Sequence, residues 1–400
     1  MRIAPDGGLY MRRPSLPSFL LPAILLSMLT AGWAQLVRPA AGTHRKGRSV
    51  VRPLKNARDL MPVIRAQSAA GTTIPLWNYS VVSPADNLTY SGSMVGRSPF
   101  FHGYRSTSVQ AYLIPVIMTF SDGTKLDPTA PDSCLGGMNV ADVTAKSPIF
   151  QNAAFTLNGA NVGPTQYIDA FQRANFWSKV AAAGNRYHTL LNLTTLPAVN
   201  VSVPALDGGA QNLGLIFCTW GDVDINWFDA YVQNTLLPSL VAQGVAPNTL
   251  PIFLFDSINL CDPYDPNNVP CGILGYHGAY TPSTLLQTYV VSDFDNSGIY
   301  LGDVSVLSHE IGEWMDDPVG TNPTPLWGNT GQVAGCQNNL EVGDPLTGTI
   351  LVPQITMNNF TYSLQELAYF SWFYRLSPSL SAGLAYSDGG TFTTGAGPIC

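Results

Sequence analysis

The residues best suited to chemistry lie in one short segment, residues 302–318 (GDVSVLSHEIGEWMDDP). His309 and Glu313 are four positions apart, so on a helix both side chains project from one face and could share a ligand. Asp317 extends that face, whereas Glu310 points about 100° away from His309. An imidazole and a carboxylate at this spacing can bind a divalent cation, and a neighbouring carboxylate can accept a proton. The alternative is an ordinary helix with a mixed polar face.

The acidic residues of the chain are unevenly divided between Asp and Glu. Twenty-two are Asp and only four are Glu, and all four Glu fall between positions 310 and 366. This concentration indicates that the segment needs the longer carboxylate. The alternative is that helices prefer Glu to Asp and that this segment contains the helices.

A catalytic metal site with one open position requires a third protein ligand. We expect it to be Glu341, which follows a Pro/Gly/Asn-rich stretch at residues 319–339. Long loops without regular structure are more often functional than accidental. Asp344 is close enough in sequence to orient a ligand or to serve as an alternative one.

Two further residues compete for a role at this site. His277, in the sequence LGYHGAY, could be an alternative ligand or a hydrogen-bond donor, although a single His among Tyr and Gly is more often structural. Glu366 follows Ser363 at the spacing of a capping box, which predicts a structural role for it.

The helix segment resembles H-E-x-x-H, the motif of zincin metallopeptidases, in which two His bind zinc and the Glu polarises a zinc-bound water. Here the motif is H-E-x-x-E. The resemblance implies zinc bound by His309, Glu313 and Glu341, with Glu310 as general base and a peptide or protein as substrate. In the zincins whose third ligand is a Glu, an Asp follows nearby, as Asp344 does here.

Glu313 stands where the motif has its second His. Two carboxylates donate more charge to a cation, so its bound water is a weaker acid and calcium or manganese is accepted more readily. The departure therefore counts against peptidase activity more than against metal binding, and Ca²⁺ is an alternative to Zn²⁺.

The same segment is also similar to secreted exordium-like (phosphate-induced) proteins. These place a Cys-rich loop and a His before an S-H-E-x-x-E-type helix that ends near D/N-P, which Ser308–Glu310, Glu313 and Asp317–Pro318 match. This resemblance implies no enzymatic activity. It favours the alternative of a non-enzymatic extracellular or cell-wall interaction protein with a structural or vestigial metal site.

The elements that must position these residues are mixed along the chain. Periodicity and turn residues predict strands at 112–120, 199–203, 213–219 and 250–255, and helices at 167–183, 224–243 and 302–318, the last capped by Asp303. We expect an α+β fold of zincin-like architecture at residues 76–400, with a mixed sheet, an active-site helix and long Pro/Gly-rich loops. Two subdomains meeting near residue 300 are the alternative.

The N-terminal region predicts export. Arg12 and Arg13 precede an apolar stretch at residues 19–29 and small residues up to Ala34, which is the pattern of a signal peptide at residues 1–34. Met11 is an alternative start. Residues 35–75 are basic and lack periodicity, and we interpret them as a linker or propeptide. No later apolar run is long enough for an integral membrane segment, so we expect a secreted, extracellular or periplasmic protein.

Cysteines and charge narrow the class of protein further. Six Cys are typical of an oxidising compartment, and they allow about 15 pairings among which the sequence does not choose. Cys261 with Cys271 is the favoured pair, and Cys336 is one candidate partner of Cys400. Residues 1–65 carry eleven of the nineteen Lys and Arg, so the remainder has a net charge of −16. Such a body repels polyanions, which argues against nucleic acid as a partner.

Overall fold

One mixed β-sheet organises the computed structural model, which describes residues 47–101, 105–212, 218–267, 271–300, 302–348, 353–397 and 400. The strands are β1 (Arg48–Arg52), β2 (Leu76–Val82), β3 (Thr89–Val95), β4 (Arg105–Thr119), β5 (Lys125–Leu126), β6 (Ala153–Leu157), β7 (Ala160–Thr165), β8 (Tyr187–Thr195), β9 (Val199–Ser202), β10 (Gly208–Gln211), β11 (Trp220–Asp224), β12 (Thr249–Asp256), β13 (Ile258–Cys261), β14 (Ile273–Tyr280), β15 (Gln287–Phe294), β16 (Pro323–Gly328), β17 (Cys336–Asn339), β18 (Gln354–Met357) and β19 (Phe360–Ser363). Eleven of these described strands form the large sheet, with the central order β10-β11-β13-β14-β15-β12-β4-β5.

The helices are few and mostly short. They are α1 (Ala57–Ala70), α2 (Val140–Ala145), α3 (Tyr167–Asn175), α4 (Trp177–Ala182), α5 (Ile225–Tyr231), α6 (Leu237–Leu240), α7 (Ser305–Asp316) and α8 (Phe370–Phe373). This combination confirms the predicted α+β class and the mixed sheet. No helix within the described ranges is both long enough and apolar enough to cross a membrane.

The centre of the sheet is fully buried. Every residue of β12 and β15 is buried, as expected for strands that are covered on both faces. β12 runs parallel to β4 and β15, whereas β14 is antiparallel to β15 and parallel to β1. The strands predicted at 112–120 and 250–255 are confirmed as parts of β4 and β12.

Helix α7 packs on β14 and β15, and all twelve of its residues are buried. It confirms the helix predicted at 302–318, in a shorter form. The predicted cap is wrong: the helix begins after Val304 with no side-chain cap. Asp303 has a left-handed backbone (φ 48°), and its carboxylate accepts a hydrogen bond from the Ser363 N–H instead.

Several predicted boundaries are wrong in detail. The helix expected at 167–183 divides at Phe176 into α3 and α4. Residues 319–339 do not form a structureless loop, because β16 and β17 pair as an antiparallel hairpin. Ser363 is the last residue of β19, so it starts no capping box. Residues 213–217 of one predicted strand lie outside the described residues, and the strand that follows begins at Trp220.

The segment predicted to lack regular structure, residues 35–75, contains β1 and α1. β1 extends the large sheet beside β14, and Leu54, Ala57 and Ile64 belong to the core. Burial of these few apolar residues outweighs the weak local periodicity. The predicted signal peptide at 1–34 lies outside the described residues, and removal of 35–75 as a propeptide stays a prediction.

Both predicted disulfides are confirmed. Cys261 pairs with Cys271 and Cys336 with Cys400, and a third bond joins Cys134 to Cys218. Three disulfides are typical of proteins from an oxidising compartment.

Candidate metal centre

Seven side chains converge where α7 meets β14 and the segment that follows β17. They are His277, His309, Glu310, Glu313, Asp317, Glu341 and Asp344, and none is more than 5% exposed. The sequence analysis named all seven. β14 provides the first, α7 the next three, and the segments after α7 and β17 the remainder. Residues separated by up to 67 positions in sequence thus share one buried site.

His277 is oriented by the backbone just after α7. Its Nε2 lies 3.2 Å from the Asp317 carbonyl oxygen, and because a carbonyl can only accept, Nε2 carries the hydrogen. In the neutral ring, the lone pair of Nδ1 therefore faces the Oε2 atoms of Glu310 at 3.4 Å and Glu313 at 3.7 Å. A His that donates one ring N–H to a carbonyl presents its other nitrogen as metal ligands do.

His309 lies on the other side of Glu313. Its Nε2 is 2.8 Å from Glu313 Oε1 and 3.5 Å from Asp344 Oδ1, while its Nδ1 is 3.3 Å from Thr347 Oγ1. One carboxylate oxygen of Glu313 thus faces His309 and the other faces His277. Glu313 is the side chain that connects the two imidazoles.

The segment after β17 wraps tightly over α7. The backbone N–H groups of Gly343 and Asp344 donate to Glu313 Oε1 at 3.1 and 3.3 Å. Gly343 has to be a glycine here, because a Cβ atom would lie 2.3 Å from His309 Nδ1. The close approach explains why a glycine stands at this position.

Three amide side chains support the outer carboxylates. Gln332 and Gln337 donate to Asp344, and Asn339 donates to Glu341 Oε1 at 2.8 Å. Sequence reasoning missed these residues. Their positions form no motif, since only the folding of the β16–β17 hairpin brings them to the site.

Several polar atoms in the cluster are buried without a hydrogen-bond partner. They are His277 Nδ1, both carboxylate oxygens of Glu310, and Glu341 Oε2, whereas His309 Nε2 is in ion-pair contact with Glu313. Within the described part of the chain, no lysine or arginine forms an ion pair with any of the five carboxylates. Buried charges without compensation are costly, so this cluster requires protons or cations.

The shifted pKa values of the carboxylates also reflect the cost of burying their negative charges. Burial raises the pKa of Glu310, and it raises the pKa of Glu341 well above its usual range with help from Glu313. Burial also raises the pKa of Asp317 to about 7 and of Asp344 to about 6. Glu313 differs: burial opposes ionisation, but the imidazoles of His309 and His277 lower its pKa.

For the two imidazoles, burial and the neighbouring negative charges act in opposite directions. Burial alone would lower the pKa of each ring, but the surrounding carboxylates raise the pKa of His277 and raise that of His309 well above its usual value. The cluster as a whole therefore favours added positive charge.

Two overlapping groups of three donors fit a cation. His277, Glu310 and Glu313 form one, and His309, Glu313 and Asp344 form the other, each with donor atoms within 4.8 Å of one another. A nitrogen donor with two carboxylates suits zinc or manganese better than calcium, which prefers oxygen alone. Glu341 belongs to neither group, and its Oε2 is 3.9 Å from His277 Nε2.

Other candidate groups have different explanations. Asp222 lies near Cys261 and Cys271, but those two sulfurs are joined in a disulfide. Glu366 belongs to neither group of donors and accepts hydrogen bonds from Ser387 and Thr391. Its role is structural, as expected, although not as part of a capping box.

No protein-family model, curated protein or solved structure matches this chain.

Proposed function

We propose that this chain is an exported, metal-dependent hydrolase whose divalent cation is bound in the cluster around Glu313. The observation that carries the proposal is the set of buried polar atoms without hydrogen-bond partners, which includes His277 Nδ1 and both oxygens of Glu310. Unpaired buried polar atoms are rare in folded proteins and call for an explanation. Cation binding at Glu313 provides one, because both groups of three donors contain that residue.

Glu310 is the proposed proton acceptor. Its carboxylate has no hydrogen-bond partner, and burial raises its pKa toward the range in which a carboxylate is an effective general base. The cation would supply Lewis-acid stabilisation of the developing negative charge. His309 and Glu313 would hold it from α7 together with Asp344, whereas Glu341, the third ligand expected from the sequence, belongs to neither group of donors.

Peptides are the first substrate class to test. The H-E-x-x-E sequence on α7 is similar to the zincin motif, and α7 lies against a mixed sheet, which is the arrangement that the zincin-like proposal requires. The three disulfides support export to a place where extracellular peptides or proteins are encountered.

The test combines metal content with activity. Purified mature protein should contain zinc or manganese by elemental analysis, and should digest casein or a peptide library only without chelator. Glu310→Gln should abolish hydrolysis while the chain keeps bound metal, and Glu366→Gln, a buried Glu outside the cluster, should leave both unchanged. Absence of metal after zinc and manganese are offered would overturn the proposal.

The burial of the cluster favours a second candidate function. Because no side chain of the cluster is more than 5% exposed, a substrate reaches it only if part of the surrounding chain moves. A closed site suits a structural cation in a non-enzymatic extracellular or cell-wall protein. In that case metal would raise the melting temperature, and no peptide in the library would be cleaved.

A further inference from the structure

We infer that the cluster holds two divalent cations, bridged by the carboxylate of Glu313. This inference rests on the proposed metal-dependent function and adds a second cation to it. The first cation lies between His277, Glu310 and Glu313, and the second between His309, Glu313 and Asp344.

The donor spacing supports the first position. A tetrahedral cation with bonds of about 2.0–2.1 Å places two of its ligand atoms about 3.3–3.4 Å apart. His277 Nδ1 lies 3.4 Å from Glu310 Oε2 and 3.7 Å from Glu313 Oε2. These separations are long for a hydrogen bond and match two ligands of one cation.

The second position uses the other oxygen of Glu313. His309 Nε2 is 2.8 Å from Glu313 Oε1 and 3.5 Å from Asp344 Oδ1. The 3.5 Å separation is close to the tetrahedral value, whereas 2.8 Å is close to the roughly 2.9–3.0 Å between neighbouring ligands of an octahedral cation and is also an ordinary hydrogen-bond length. Since Oε1 and Oε2 face different imidazoles, the two cations would not compete for one atom.

The number of buried carboxylates also favours two cations. Five carboxylates and two imidazoles are enclosed together, and no lysine or arginine of the described ranges pairs with them. With all five carboxylates ionised, one divalent cation would leave three negative charges buried, whereas two would leave one. Burial of uncompensated charge is costly, so the second cation removes a large unfavourable contribution.

Protons on the imidazoles are the competing way to neutralise the cluster. A proton on His277 Nδ1 would have as acceptors Glu310 Oε2 at 3.4 Å and Glu313 Oε2 at 3.7 Å, both beyond the usual length of an N–H···O hydrogen bond. Glu310 likewise has two unpartnered oxygens, of which Oε2 faces the first cation and Oε1 is free to accept a proton. Cations would bind these buried polar atoms, whereas protons would leave them without hydrogen-bond partners.

Two cations would also indicate which reactions the site could catalyse. Paired divalent ions about 3.5–4 Å apart stabilise both the attacking and the leaving oxygen during hydrolysis of phosphate esters and peptides. The inference therefore extends the substrate classes worth testing from peptides to phosphate esters.

The decisive measurement is the stoichiometry of the full mature chain. Metal-free protein should bind two equivalents of Mn²⁺ by native mass spectrometry, and its electron paramagnetic resonance spectrum should show exchange coupling between the two ions. One equivalent and an uncoupled spectrum would overturn the second cation and leave the proposed function intact. No bound Mn²⁺ or Zn²⁺ would overturn both.

A conservative variant tests the bridge itself. Glu313→Gln keeps the size of the side chain but has a single acceptor oxygen, so it should reduce binding to at most one equivalent and remove the coupling. The matched control is Glu366→Gln, which neutralises a buried Glu outside the cluster and should still bind two coupled ions. Two coupled ions in Glu313→Gln would overturn the bridging role.

Discussion

At the scale of single residues, Glu313 determines the character of the site. On a helix it shares a face with His309 at four positions and with Glu310 at three, so the sequence allows two ligand sets. His277 reaches both Glu310 and Glu313 from β14. This single residue from a distant strand makes the second set possible, and local spacing gives no indication of it.

Asp388 is a buried carboxylate outside the cluster, and its ionisation makes the stability of the protein depend on pH. Asp388 accepts hydrogen bonds from the Tyr167 hydroxyl at 2.7 Å and from the Leu367 N–H at 2.7 Å. Burial raises its pKa from 3.8 to about 7. Since the folded value is the higher one, the folded state binds this proton more tightly, and the resulting stability is lost as the pH rises from about 4 through about 7.

We therefore expect Asp388→Asn to stabilise the protein at pH 8 by roughly 2–4 kcal/mol, at about 1.4 kcal/mol for each pKa unit, and to change little at pH 4. The amide preserves the acceptor for Leu367 and can donate to Tyr167. Urea denaturation at both pH values measures the difference. Asp122→Asn, at an exposed turn, is the control, and an equal effect of Asp388→Asn at both pH values would contradict the assignment.

At the scale of elements, Gln332 joins three parts of the site. Its side chain exchanges hydrogen bonds with the backbone N–H and carbonyl of Ser49 in β1, each at 2.9 Å, and donates to Asp344. The β16–β17 connection, the edge strand β1 and a candidate ligand are thus held by one amide.

Gln332→Ala should weaken metal binding by about 10–100-fold, the usual effect of removing a residue that orients a ligand. Competition with a metallochromic chelator measures the affinity. Gln233→Ala removes an amide that is hydrogen-bonded to Asp229 and Tyr289, far from the cluster in sequence, and should leave the affinity unchanged. Unaltered affinity in Gln332→Ala would show that β1 and Asp344 are held independently.

At the scale of the whole molecule, the disulfides differ in the length of chain that they close. Cys134–Cys218 spans 84 residues and Cys261–Cys271 spans 10. In the chain-entropy description, the longer loop restricts the unfolded state more strongly. The longer link should therefore contribute more to the free energy of unfolding.

We expect replacement of Cys134 and Cys218 by Ser to destabilise the protein by about 4–5 kcal/mol, and the same change at Cys261 and Cys271 to cost about 3 kcal/mol. Urea denaturation of the two double variants measures both values. A larger loss for the shorter loop would mean that native contacts, rather than the unfolded chain, determine the contribution of these bonds.

The sequence by itself determined the features that depend on local spacing and composition. The α+β class, β12 within a continuous apolar run, helix α7 and the pair Cys261–Cys271 were all predictable. So were His309, Glu310, Glu313 and Glu341 as candidates, because His and Glu are rare enough in this chain for their positions to be informative. Each of these inferences needed only a pattern within one segment or the scarcity of a residue type.

Tertiary structure decided what depends on contacts between distant segments. It placed β1 beside β14 although residues 35–75 lack periodicity, and it paired β16 with β17 where a loop was expected. It also turned Asp303 from its predicted cap to Ser363, and brought His277 and the supporting amides to α7. The physical reason is that burial and hydrogen bonding between segments outweigh local preferences of a few tenths of a kcal/mol for each residue.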